Sequence, residues 1–128
     1  MSNEALNTVL SHLVIPVVVI HDAATTPAVT DGLVVGGLPV AEVTFRTDAA
    51  PAAIESMAGD GRITVGAGTV INARQVDEAV SAGASFVVSP GLSREVVDRC
   101  RHHAIPVLPG AITPTEIMAG IDMGLATY

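Results

Sequence analysis

The chain has 128 residues, 49% of them hydrophobic, with a mean hydropathy of +0.54 and a formal charge of −7 at pH 7, which is ample apolar material for one packed domain spanning 1–128. Its six basic residues, Arg46, Arg62, Arg74, Arg94, Arg99 and Arg101, are scattered and include no lysine, so no basic stripe exists to neutralise nucleic-acid phosphates. One apolar run over 13–20 is interrupted by Pro16, follows a segment with Glu4 and no Lys or Arg, and is too short to span a bilayer, so no signal sequence or membrane partner is expected.

In chain order, the pattern predicts a first strand in IPVVVI, ending at Ile20, and a helix over 26–35. A second strand in PVAEVTF ends at Phe45 and leads to a helix over 50–58. A third in RITVGAG ends at Gly68, before a helix over 73–82. ASFVVSP, ending at Pro90, precedes a helix over 94–103, and AIPVLPG, ending at Gly110, precedes one over 114–123. Thr113 before Pro114 and Glu116, Ser93 before Arg94 and Glu95, and Asn72 before Ala73 are helix starts with side-chain caps. Gly36, Gly83 and Gly124 are the matching stops. Gly32 falls inside the first of these helices, where close packing is the expected reason for it. After Gly124, residues 126–128 read as the first steps of a further strand.

Five repeated βα units imply parallel strands with right-handed crossovers. Two architectures satisfy this: a five-stranded open, doubly wound sheet, or the first five units of an eight-unit barrel. The scarcity of aromatics and the abundance of Ala, Val, Ile and Gly favour either over a sandwich. Cys100 is the sole cysteine, which rules out an intrachain disulfide, suits a reducing cytoplasm and reads as a helix-packing residue. His102 and His103 are adjacent, about 100° apart on a helix, and read as a solvated helix end. His12 and His21 have no carboxylate or cysteine at ligand spacing, so no metal site is expected.

In either architecture the functional edge is the carboxyl end of the strands. There the second strand carries Glu42, Thr44 and Arg46 two apart, which places all three on one face. Glu42 beside Arg46 reads either as a base next to an anion anchor or as a structural ion pair. VGAGTV ends the third strand, where Gly66 and Gly68 would let the backbone approach a ligand and Thr69 offers a hydroxyl and an amide. Ile71 stands where a dinucleotide fingerprint needs its third glycine.

Taken in order, PVVVI, GGLPVAEVTFRT, VGAGTV, GASFVVSPGL, IPVLPGAITPTEI and MGL resemble the 2-keto-3-deoxy-6-phosphogluconate (KDPG) and 4-hydroxy-2-oxoglutarate (KHG) aldolase family, from about Ile15 onward. The resemblance implies a homotrimeric, cytoplasmic (β/α)8 barrel, represented here by its first five βα units and lacking strands six to eight. It implies a class I aldolase that uses no cofactor and cleaves 2-keto-3-deoxy-6-phosphogluconate to pyruvate and glyceraldehyde 3-phosphate through a lysine Schiff base. Carried over by position, Glu42 matches the family's proton-transfer glutamate, and Arg46 and Thr69 match the residues holding the carboxylate of the 2-keto acid. The family's lysine, in a K-F-F-P-like motif on the sixth strand, would stand immediately after Tyr128, so the chain by itself is expected to be inactive. Two other readings are a noncatalytic open-sheet module, binding small keto acids or a partner that completes the sheet, and a different lyase or epimerase using Glu42 as base.

Overall fold

The computed structural model describes residues 3–128. Its helices are α1 (Asn3–Leu10), α2 (Thr26–Val35), α3 (Ala50–Asp60), α4 (Ala73–Ser81), α5 (Arg94–His102) and α6 (Pro114–Asp122), and a 3-10 turn at Ala23–Thr25 precedes α2. The strands are β1 (Val17–Val18), β2 (Val40–Thr44), β3 (Thr64–Gly68), β4 (Val87–Ser89) and β5 (Val107–Pro109). All pairings are parallel, and the spatial order β1-β2-β3-β4-β5 is also the chain order.

That order decides between the two architectures. A doubly wound sheet reverses direction at a switch point and so places helices on both faces. Strands laid down consecutively, with right-handed crossovers, put every connecting helix on the same face. The doubly wound expectation is therefore corrected: this open sheet winds in one direction only, as a barrel does, with β1 and β5 as its outer edges.

Strand alternation then sorts the side chains into two cores. Ala41, Val43, Val65, Ala67, Val87 and Val107 point into the main core, against Ile54 and Met57 of α3, Val76 of α4 and Val96 of α5. Cys100 is fully buried there, and burial pushes its thiol up to about 12, so the packing role read from the sequence fits. On the opposite face Val40 and Phe86 form a second, smaller core with Val9 of α1. Helix α1 has no counterpart among the elements read from the sequence.

Local chemistry accounts for most helix ends. Thr113 and Glu116 form a reciprocal capping box, and the Asn72 and Ser93 side chains accept from the backbone N–H of Gln75 and Val96. Gly83 and Gly124 take positive φ as expected, but Gly36 stays right-handed at φ −72° and the left-handed residue is Gly37. Residues 125–128 form no strand. Tyr128 instead folds back over Gly120 of α6, where its hydroxyl donates to the Ile117 carbonyl at 3.1 Å.

Close packing does not explain Gly32, because a methyl group added there would meet nothing within 4 Å. Gly32→Ala is accordingly expected to stabilise the chain by about 0.5–1 kcal/mol through helix propensity alone. A rise in the urea midpoint at unchanged m-value would show it.

Candidate active site

Glu42 is the third residue of β2, flanked by Val17 of β1 and Gly66 of β3 on the face turned away from the α2–α5 layer. It is 8% exposed. Its carboxyl forms no hydrogen bond with any described residue, and it lies across Gly68, where an added Cβ would stand 2.0 Å from Oε1. Burial pushes the Glu42 carboxyl above its ordinary 4.5, and the positive charge of Arg46 pulls the other way without cancelling the effect. A desolvated carboxyl of raised pKa holds its proton more readily than an exposed one, which suits it to both giving and taking a proton.

Arg46 departs from its expected place. β2 ends at Thr44, so Arg46 belongs to the following turn and alternation no longer governs it. It is exposed and forms no ion pair or hydrogen bond with Glu42 or with any other described residue, so the structural ion pair is not made. Its side chain lines a cavity of about 350 Å³ with Asp48, Pro51, Arg74 and Glu78. Arg74 and Glu78 are already paired across one helical turn. Arg46 is thus a free guanidinium at the rim, available to an anion.

Thr69 follows Gly68 directly, with φ at +56°, a costly backbone conformation for a β-branched residue. Because Thr44 pairs with Gly68 and the Phe45 N–H donates to the Gly68 carbonyl at 2.8 Å, Arg46 and Thr69 emerge at the same edge of the sheet. The structure therefore brings Arg46 and Thr69 out at the carboxyl ends of β2 and β3 and leaves Glu42 at mid-strand within reach of the Arg46 charge, while the cavity that Arg46 lines includes neither Glu42 nor Thr69. Thr44 is diverted: its hydroxyl donates to the Val18 carbonyl at 3.3 Å and ties β2 to β1. Thr47 makes a similar bond to the Ile20 carbonyl.

Two readings need correction. Gly66 and Gly68 do not open the backbone to a ligand, since the space each leaves is filled by the Phe86 ring and the Glu42 side chain respectively. His103 is half-buried rather than solvated, with its Nε2 2.7 Å from Asp77, which also receives two hydrogen bonds from Arg99. Arg99 first and His103 second hold the Asp77 carboxyl down at about 2, and the cluster clamps α4 to α5.

The sequence matches the family model for KDPG and KHG aldolase over residues 6–128. The chain belongs to that family. A KDPG/KHG aldolase of Escherichia coli is 40% identical over 116 residues, and 2-dehydro-3-deoxy-phosphogluconate aldolase of Zymomonas mobilis is 43% identical over 115, each match covering 90% of this chain. The crystal structure of the Z. mobilis KDPG aldolase with 3-phosphoglycerate superposes with a TM-score of 0.82 at 42% identity, over 87% of this chain and 53% of that one. KDPG aldolase from Legionella pneumophila, crystallised with pyruvate captured as a covalent carbinolamine, gives 0.83 at 38% identity, over 87% and 54%. The chain spans about half the length of the curated relatives it matches, 55% and 54% for the two named. Its five strands, with the connecting helices on one face, correspond to part of the barrel of these KDPG and KHG aldolases. Among the described residues no helix is long and apolar enough to cross a membrane.

Proposed function

We propose that these residues supply the proton-transfer and carboxylate-binding part of a class I aldolase site that cleaves 2-keto-3-deoxy-6-phosphogluconate to pyruvate and glyceraldehyde 3-phosphate. The observation that carries the reading is the desolvated Glu42 carboxyl on the sheet face, with the unpaired Arg46 guanidinium and Thr69 at the same strand edge. Arg46 offers a planar fork to the substrate's carboxylate. Glu42 moves the proton at the carbon next to the imine, a task for a carboxyl kept from bulk water.

A carbinolamine, as in the Legionella enzyme, forms when an amine adds to a keto carbonyl, and loss of water then gives the Schiff base. The 128 residues contain no lysine. In this reading the amine, together with the three strands that close the barrel, comes from polypeptide outside these residues, and the working protein is a cytoplasmic homotrimer.

Intact mass before and after treatment with pyruvate and borohydride tests the proposal. The 13.0 kDa chain is expected to gain nothing, and a longer chain from the native source carrying the same residues is expected to gain one reduced pyruvate per subunit. A longer chain that takes up no pyruvate and releases none from the sugar acid would refute the proposal.

A further inference from the structure

We propose that Gly68 is a positioning residue of this site, keeping free the volume across which the Glu42 side chain lies. In the β2–β3 register Glu42 stands beside Gly66, and Thr44 beside Gly68. To reach Gly68 the Glu42 side chain leans one step along the sheet, towards the carboxyl ends of the strands. The lean is large: a Cβ on Gly68 would stand 2.0 Å from Oε1, 2.5 Å from Cγ and 2.6 Å from Cδ of Glu42. Because Cγ and Cδ are involved as well as the terminal oxygen, rotating the carboxylate moves Oε1 but leaves the other two overlaps in place, so the side chain as a whole has to shift.

No other demand on Gly68 is visible. The positive-φ glycines are Gly37, Gly61, Gly83 and Gly124, so Gly68 has a backbone that alanine tolerates. The atoms nearest its absent Cβ all belong to Glu42. Gly66, two residues earlier on the same face, differs, because it backs onto the buried ring of Phe86.

The lean sets where the proton is handled. It carries the carboxyl from mid-strand towards Thr69 at the strand ends, and lying against β3 takes it out of water. The inference rests on the reading of Glu42 as the proton-transfer group, but its test needs no turnover. Failure of the activity experiment would touch that reading alone.

A carbon-13 NMR titration of the Glu42 carboxyl in the 128-residue chain, with and without Gly68→Ala, is the first arm. The midpoint is raised above 4.5 in the parent, and in G68A it is expected to move down towards 4.5 as the displaced carboxyl regains water. The second arm is a double-mutant cycle by urea unfolding. Gly68→Ala is expected to lower the unfolding midpoint in the parent and to leave it unchanged or raise it slightly in a Glu42→Ala background, where nothing occupies the space and alanine is the better strand residue. Should G68A alone fail to fold, the double variant is still expected to fold as well as E42A. An unmoved Glu42 titration, or an equal loss in both backgrounds, would overturn the assignment.

Discussion

Glu42→Gln is expected to remove catalysis and to increase stability at neutral pH, two effects of opposite sign from one atom-for-atom exchange. In a lysine-bearing protein that carries these residues, loss of the proton-transfer group should lower turnover by roughly 10²- to 10⁴-fold. The limb of the pH–rate profile that belongs to Glu42 should disappear with it. The stability effect follows from linkage. Burial raises the folded-state pKa of Glu42 above the 4.5 of an exposed glutamate, so the folded chain holds this proton more tightly than the unfolded one. The stabilisation is complete below pH 4.5 and is lost as pH rises through the raised value, leaving a desolvated charge in the folded state. Glutamine never ionises. E42Q should therefore match the parent in urea unfolding below pH 4.5, exceed it increasingly as pH rises from there to the raised midpoint, and keep a constant advantage above it. A variant less stable than the parent at pH 7 would show that the charged carboxylate is compensated, and would remove the physical basis for assigning it proton transfer.

What could be read in advance follows the range of the forces involved. The Thr113, Pro114 and Glu116 cap is legible because its hydrogen bonds close within four residues. The five β-branched runs are legible because strands buried beneath helices need them. Helix α1 is not, since what holds it is Val9 meeting Val40 and Phe86, residues brought together only by the finished sheet. β1 is shorter than its apolar run because it has a neighbour on one side only, β2, and pairs at just Val17 and Val18. Within the site, alternation placed Glu42 and Thr44 correctly and failed at Arg46, for the rule was carried two residues past the end of β2. The glycines mark a deeper limit. A missing side chain shows that space is needed but not who fills it, and both vacancies turned out to be filled by the protein itself.

Gly66→Ala tests that limit at the other glycine, with the opposite expectation for what can move. A Cβ there would stand 2.4 Å from Cε2 and Cζ of Phe86 and 2.5 Å from Cδ2. Phe86 is fully buried and forms the second core with Val9 and Val40. Glu42 is a flexible chain, but Phe86 is a flat ring in a close-packed site without free volume to retreat into. Relief has to come from moving β4 away from β3 or tilting the ring off its rotamer, at a cost of about 1–3 kcal/mol. Against a total of roughly 5–15 kcal/mol for a domain, that is a large fraction. No titrating group is involved, so the loss should be the same at pH 4 and pH 8, in contrast to the pH-dependent difference between E42Q and the parent. Phe86→Leu, which removes the ring, should cost less in the G66A background than in the parent, and urea unfolding of the four proteins measures that coupling. A cost for G66A that changes with pH would mean that the strain reaches Glu42 through β3, and that the two glycines act as one unit rather than as separate seats for a ring and a carboxylate.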